Sequence, residues 1–447
     1  MFSTEDTIVA IATPPGRGAL GVVRLSGPAA ASIAARLAKR PAFEPRHATL
    51  ARLVDGAGAP IDDTILTFFP APHSYTGEDV VEISAHGSGV VLQAIVNAAM
   101  REGARLANPG EFTFRAYVNG RIDLVQAEAV GDLIDAVTPL QARVAFDQLQ
   151  GTLSTKLASM EATLVDVIAK LEASLDFPDE GYHFITTAET ERELSTIVST
   201  LDALLADAER GRLIRQGLTA VVVGRPNAGK SSLFNRLAGS DRAIVTEIPG
   251  TTRDLVTERV DVHGIPFTLV DTAGIRDRAT DAIEEEGIAR ARQARTVADV
   301  LIVVLDGSAA LTAADRELLS STAGQARVIV ASKADLPWCW PVEEHGALRV
   351  SSLTDAGVDG LRTAIVRAAG VEPSRDTAAI VNIRHAALLR EARHAAARAH
   401  DAASNGVAEE FVLADLHEAR GCFDDVTGAR TPEDVLRVIF ERFCIGK

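Results

Sequence analysis

The segment Gly224-Arg225-Pro226-Asn227-Ala228-Gly229-Lys230-Ser231 has the spacing of a phosphate-binding loop: four residues between two glycines, then a lysine and a hydroxyl. Glycines let the backbone wrap around phosphate oxygens with successive N–H groups turned inward. A strand-like run, Leu218 to Val223, precedes it, and a helical pattern follows. That helix would offer its positive end to the same phosphates. In this reading Asn227, Ala228, Gly229, Lys230, Ser231 and Ser232 bind a nucleotide. Lys230 bridges the β- and γ-phosphates as a catalytic cation, and Ser231 ligates Mg²⁺.

Further along, Asp271-Thr272-Ala273-Gly274 ends a second apolar run. An aspartate at a strand end can hold Mg²⁺ through its water shell, and the glycine amide can sense the γ-phosphate. Between the two, Gly250-Thr251-Thr252-Arg253-Asp254 can supply a threonine to the metal. Ser332-Lys333-Ala334-Asp335 ends another run, and Ser351-Ser352-Leu353 lies beyond the next. A carboxylate such as Asp335 accepts two hydrogen bonds from the N1–H and 2-amino edge of guanine, which adenine cannot supply. Lys333, Ser351 and Ser352 would flank the base, so GTP is favoured over ATP. G proteins usually carry asparagine where Ser332 stands, and the shorter side chain changes the hold on guanine or on the phosphate loop. Ile275 follows Gly274, where a Ras-type enzyme has a water-orienting glutamine. Another group must then position the water, with Arg276, Asp277, Asp281, Glu284, Glu285 and Glu286 as candidates.

These residues need elements to hold them. Leu218 to Val223, Phe267 to Val270, Val300 to Leu305 and Val328 to Ala331 are short continuous apolar runs separated by helical patterns. Strands buried on both faces look like this, so a parallel sheet is expected. Leu149, Leu153, Leu157, Met160, Leu164, Ile168, Leu171 and Leu175 recur every three or four residues, which places them on one face of a long helix. Pro178 and Gly181 interrupt the pattern. A second helix is expected with Leu194, Ile197, Leu201 and Leu204 on one side. After residue 375 helical patterning resumes. Thr431-Pro432-Glu433-Asp434 predicts a helix start, with a capping hydroxyl, a first-turn proline and acids at the positive end. Residues 1 to 120 mix apolar strands, Gly18 to Leu25 and Asp79 to Ile83, with turns. The expectation is a multidomain α/β plus α protein. It comprises an N-terminal α+β domain (1–120), a discontinuous helical domain (121–215 and 375–447) and an inserted P-loop, Ras-like parallel-sheet domain (216–374).

A chain of 447 residues is too long for one ordinary core. Asp and Glu outnumber Lys and Arg by 61 to 45, a net charge of −16, which argues against a generic DNA-coating protein. Cys339, Cys422 and Cys444 match no zinc spacing and suit a reducing compartment. The start of the chain has no signal-peptide pattern, and no apolar run reaches the roughly 18 residues of a membrane helix. The expected location is the cytoplasm, without a membrane partner. Gly446 and Lys447 exclude a prenylation reading of Cys444.

Over essentially its whole length the chain resembles the MnmE (TrmE) family of tRNA-modification GTPases. The resemblance is carried by the inserted nucleotide domain, the Gly224 to Asn235 loop, Ile248-Pro249-Gly250-Thr251-Thr252-Arg253-Asp254 and the terminal Phe443-Cys444-Ile445-Gly446-Lys447. Ala12-Thr13-Pro14-Pro15-Gly16-Arg17-Gly18 and Pro109-Gly110-Glu111-Phe112 match as well. It implies a K⁺-stimulated GTPase whose nucleotide domains act in pairs. Asn227, Thr246, Ile248 and Thr251 match K⁺ ligands in a loop that also contains Glu247, Pro249 and Gly250, and Thr252 matches a Mg²⁺ ligand. A cation with oxygen ligands there neutralises charge developing on the phosphates. Glu284 matches the residue that orients the attacking water, with Glu285 as fallback because one extra residue separates Asp271 from Glu284. The N-terminal domain resembles folate-binding domains. It implies a tetrahydrofolate derivative (5-formyl or 5,10-methylene), a constitutive homodimer, and Arg24, Glu82, Arg121 and Lys447 as binding residues. Arg121 stands where some members have lysine, which keeps charge but changes geometry. A carboxylate suits the pterin edge, and cations suit the folate carboxylates. Cys444 matches a family cysteine and is either a catalytic nucleophile or a small packing residue. The implied partners are tRNA and the flavin-dependent MnmG (GidA) subunit, together installing a carboxymethylaminomethyl-type group at C5 of the wobble uridine. The alternative is a ribosome-assembly, RNA-binding GTPase, which would lack the N-terminal strings and the Cys444 terminus. A G domain of a membrane iron transporter is excluded, since no spanning segment is present.

Overall fold

The computed structural model describes residues 5–176, 184–240, 256–271, 298–341, 345–371 and 380–446. The chain forms two compact units. One comprises Met1–Gly131, Leu149–Ile168 and Leu416–Lys447; the other comprises Asp132–Gln148 and Ala169–Asp415.

The first unit is built on a six-stranded sheet. Its strands are β1 (Ile8–Ile11), β2 (Leu20–Ser26), β3 (Thr49–Val54), β4 (Pro60–Phe69), β5 (Val80–His86) and β6 (Arg105–Leu106), in the order β3-β4-β5-β2-β1-β6. All neighbours are antiparallel except β1 and β6. Side chains alternate across a strand. Val23, Leu25, Val81 and Ile83 therefore share one face, where they form the core with helices α1 (Ala30–Leu37) and α2 (Gly89–Arg101). Arg24 and Glu82, directly opposed in the β2–β5 register, lie on the other face. Helices α3 (Glu111–Val118) and α4 (Leu124–Asp135) follow, and Phe112 of α3 packs on Ile8 and Ala10 of β1.

A buried ionic network fixes this region. Arg115 of α3, with no exposed side-chain surface, bonds the carboxylates of Asp6 at 2.6 Å, Glu78 at 3.2 Å and Glu111 at 3.1 Å. Arg105 adds bonds to Glu111 at 2.6 Å and to Asp6 at 2.8 Å. Burial pushes the Glu111 carboxyl up, but the Arg105 bond, the Asn108 amide and Arg115 outweigh it and leave it below its usual range. The Arg105 bond holds Asp6 low as well, against burial and with help from Arg115.

The long helix expected from the leucine spacing is α6 (Thr152–Asp176), with Leu153, Leu157, Met160, Leu164, Ile168 and Leu171 buried. Leu149 is not part of it. That residue ends α5 (Pro139–Leu149), and Gly151, at φ 81°, breaks the chain between the two helices. The periodicity runs on because both helices bury an apolar stripe; a single left-handed glycine is invisible to a spacing argument.

In the second unit, α7 (Thr187–Ala206) starts on a reciprocal cap between Thr186 and Glu189. Its buried Leu194, Ile197, Leu201 and Leu204 match the expected stripe. Helix α8 (Ala208–Gln216) then leads into β7 (Leu218–Val223). The remaining elements of the nucleotide region are α9 (Lys230–Ser240), β8 (Val256–Val262), β9 (Ile265–Asp271), β10 (Val300–Asp306), α10 (Ala313–Ser321), β11 (Arg327–Ser332), β12 (Leu348–Arg349) and α11 (Val358–Ala368). The sheet order is β12-β11-β10-β7-β9-β8. Every neighbour pair is parallel except β8–β9, a hairpin at the edge. The four predicted runs are β7, β9, β10 and β11. The hairpin turn is anchored by Thr138, the residue before α5, whose Oγ1 donates to Gly264 O at 2.8 Å.

Helix α12 (Ile383–Ser404) lies along α7, its buried face largely alanine, and Arg393 Nε pairs with Asp202 at 2.9 Å. Helices α13 (Glu409–Thr427) and α14 (Glu433–Phe440) complete the chain. The expected cap of α14 is not made. Thr431 Oγ1 donates to Asp425 O at 3.2 Å, and Pro432, with ψ 145°, stands at the cap position rather than in the first turn. The helix begins one residue later than expected, at Glu433, so the Thr431 hydroxyl stands outside the cap position and donates to a carbonyl instead of accepting from the first turn.

Candidate nucleotide site and N-terminal cluster

The phosphate loop follows β7 where the strand emerges beside β10. A Cβ on Gly224 would lie 2.4 Å from Val304 O, so only glycine permits this approach of loop to strand. Asn227 takes φ 63° and Gly229 φ 92°, the left-handed turns that curl amides toward one point. Lys230 opens α9 as a buried residue, and its Nζ donates to Arg225 O at 2.9 Å, folding the ammonium over the loop. Ser231 and Ser232 are exposed on the first turn of α9. Ser231 Oγ lies 3.0 Å from Oδ2 of Asp271, the last residue of β9. A hydroxyl and a carboxylate from separate elements thus converge at the end of the loop. Both are hard oxygen donors of the kind Mg²⁺ takes alongside phosphate oxygens.

The base-side residues come from the ends of β11 and β12. Ser332 is buried, with Oγ 2.6 Å from Ala228 O and 3.0 Å from Leu305 O. Lys333 turns at φ 60°, and its Nζ bonds Asp306 Oδ2 at 2.6 Å. Burial raises the Asp306 carboxyl, but Lys333 and the Ser308 hydroxyl and amide outweigh it and leave it low. Asp335 is exposed, and Ser351 Oγ donates to its Oδ1 at 2.6 Å. That hydroxyl and the residue's own amide hold Asp335 below its usual range, so it is a carboxylate at neutral pH. Ser351 also accepts from the Leu353 and Thr354 amides at 3.2 Å, which shapes the turn, while Ser352 is half-buried beside it. Asp306 escaped the sequence reading, which stopped that strand at Leu305. The same signal that singled out Asp271, an acid closing an apolar run, was available.

Thr246, Glu247, Ile248, Pro249, Gly250, Thr251 and Thr252 lie outside the described residues. So do Thr272, Ala273 and Gly274, together with Glu284, Glu285 and Lys447.

A second cluster lies on the first unit's sheet, on the face away from α1 and α2. Arg24 Nε and Nη2 donate to Glu82 Oε1 at 3.0 and 2.8 Å, with side chains 20% and 32% exposed. The guanidinium sits over the Tyr75 and Phe112 rings, 5.3 and 5.7 Å from their centroids. Tyr75 is itself bonded to Thr113 at 2.8 Å, and burial pushes its phenol up. Arg121 is exposed; its stem covers Gly77 in the loop that carries Tyr75, where a Cβ would meet Arg121 Cγ at 3.1 Å. The C-terminal tail reaches the neighbouring strand. Ile445 bridges Pro109, and Gly446, at φ 100°, lies so close to Ile11 O that a Cβ would be 2.2 Å away. Cys444 is exposed. The structure thus brings Arg24 and Glu82 into contact, and the Tyr75 loop links them to Arg121.

Two family models match the chain: the GTP-binding protein TrmE N-terminus over residues 7–121 and the MnmE helical domain over residues 124–444. The tRNA modification GTPase MnmE of Koribacter versatilis (strain Ellin345) is 45% identical over 455 residues, covering 100% of both chains. That of Azoarcus sp. (strain BH72) is 45% identical over 448 residues, covering 99% of this chain and 98% of its own.

Proposed function

Because this chain belongs to the MnmE family of tRNA modification GTPases, we propose that it hydrolyses GTP with Mg²⁺ to drive modification of the wobble uridine of tRNA. The observation that carries the reading is the meeting of Ser231 Oγ with Asp271 Oδ2 at 3.0 Å, at the end of a loop with left-handed turns at Asn227 and Gly229. Mg²⁺ would be held there through the Ser231 hydroxyl, with Asp271 acting through the metal's water shell, and would neutralise phosphate charge. Lys230 supplies the fixed cation, and Asp335, braced by Ser351, selects guanine.

The finer features are part of the same proposal. K⁺ is held by Asn227 together with Thr246, Ile248 and Thr251, and Thr252 completes the Mg²⁺ shell. Glu284, or Glu285 beside it, orients the attacking water. A tetrahydrofolate derivative docks at Arg24, Glu82, Arg121 and Lys447, with Cys444 at its edge. An Arg–carboxylate pair over two aromatic rings suits a flat heterocycle bearing donors and acceptors on one rim, which supports a pterin. The protein acts as a homodimer with a flavin-dependent MnmG subunit, taking its one-carbon unit from the folate. Among the described residues no helix is long and apolar enough to cross a membrane.

The test is nucleoside analysis of tRNA from a deletion strain with and without this chain. Wobble uridines should lose the C5 substituent in the deletion and regain it on complementation. Unaltered uridines in the deletion would defeat the modification role and leave GTP hydrolysis standing.

A further inference from the structure

Ser332 stands at the end of β11, in the segment that reads the base, yet its side chain is directed elsewhere. It is 5% exposed, and its hydroxyl lies 2.6 Å from the carbonyl of Ala228, inside the phosphate loop, and 3.0 Å from that of Leu305 in β10. Its main-chain carbonyl accepts from Gly307 N at 3.1 Å, so the residue is fixed from both sides. The loop passes it closely: a Cβ on Gly229 would lie 3.4 Å from both Cβ and Oγ of Ser332.

One consequence follows from peptide geometry. In a trans peptide the C=O of one residue and the N–H of the next point in opposite directions. A bond that draws Ala228 O back toward β11 therefore turns Gly229 N–H to the side opposite β11. That amide belongs to the run expected to cradle phosphate. We propose that Ser332 is a positioning residue for the triphosphate: it sets the Ala228–Gly229 peptide plane and takes no part in reading the base. Base choice then rests on the carboxylate of Asp335, exposed three residues later and braced by Ser351. The inference rests on the GTP-binding reading above and adds a division of labour within the Ser332–Asp335 segment.

The test compares Ser332→Thr, which keeps the hydroxyl, with Ser332→Val, its near-isostere without one, and with Ser332→Ala. Equilibrium binding is measured for GTP, GDP, inosine triphosphate and xanthosine triphosphate in Mg²⁺. Loss of one bond that leaves a loop carbonyl buried corresponds to about tenfold weaker binding. Valine and alanine should weaken all four nucleotides by a common factor of that size, with the guanine-to-xanthine ratio unchanged, and threonine should restore it. Nucleotide-free unfolding midpoints of the Thr and Val forms separate this from general destabilisation; equal midpoints with unequal affinities support the assignment. If valine changes the ratio between bases, or binds every nucleotide as tightly as threonine does, the proposal is overturned. A native chain that binds no guanine nucleotide at all would instead remove the reading beneath it.

Discussion

Ser231 Oγ and Asp271 Oδ2 are 3.0 Å apart across 40 residues of sequence, one on the first turn of α9 and the other at the end of β9. The parallel register of β7 with β9 produces this meeting, since it places Val222 beside Asp271 just before the loop begins. Ser231→Ala and Asp271→Asn should each lower the turnover of GTP by about 100-fold or more, the scale for removing one group aimed at developing charge. Both variants should keep their preference for guanine. Steady-state phosphate release across a Mg²⁺ titration checks this; wild-type rates in both would detach the pair from the metal.

The carboxylate of Asp335 is exposed and ionised, with one oxygen engaged by Ser351. On the proposed reading, replacing it with asparagine would remove two charge-assisted bonds to guanine and offer a donor instead. GTP binding should fall about 100-fold or more, and xanthosine triphosphate should become the better substrate. Competition binding with the two nucleotides reads this directly; unchanged GTP affinity would reject the assignment.

Glu111 and Arg115 are both fully buried and joined at 3.1 Å, with Arg105, Asp6 and Glu78 completing the network. Removing Glu111 takes away the one fully buried carboxylate and leaves buried Arg115 with only the partly exposed Asp6 and Glu78. Glu111→Gln should therefore cost about 3 kcal/mol in denaturant unfolding of the first unit. The folded carboxyls of Glu111 and Asp6 lie below their unfolded values. Their contribution is then fully present above the unfolded carboxyl range, about pH 4, and is lost as pH falls through the folded values. Unfolding midpoints between pH 6 and pH 3 should drop more steeply in the native chain than in Glu111→Gln. Parallel curves would show that the network does not titrate with folding.

The Arg24–Glu82 pair differs in kind. Its side chains are partly exposed, and pairs of that sort add little to stability, under about 1 kcal/mol. Glu82→Ala should leave the unfolding midpoint nearly unchanged while weakening binding of 5-formyltetrahydrofolate about 10- to 100-fold, as expected for lost bonds to a charged group. Titration calorimetry with the reduced folate decides the matter; tight binding by the variant would return the pair to the status of a surface ion pair.

Much of the nucleotide region was legible because its signals are local. The apolar runs that became β7, β9, β10 and β11 are strands buried along most of their length, and a loop of fixed spacing joins β7 to α9. The relationships that matter most are not local. That Arg24 faces Glu82 depends on the register of β2 with β5, and that Ser332 grips Ala228 depends on how closely the loop passes β11. No spacing rule carries either. The break at Gly151 and the start of α14 at Glu433 rather than Pro432 were missed for a related reason: each fixes a helix end, which the spacing of apolar residues does not register.

In the proposed function the phosphate loop grips the triphosphate of GTP with Lys230, Mg²⁺ and its main-chain amides. The most direct test is phosphate release by the purified full chain in saturating Mg²⁺ and K⁺, with GTP and ATP supplied separately and Lys230→Ala alongside. Phosphate is expected to be released from GTP and little from ATP, with GTP turnover lost in the variant. Equal turnover of the two nucleotides, or undiminished GTP hydrolysis by Lys230→Ala, would contradict it.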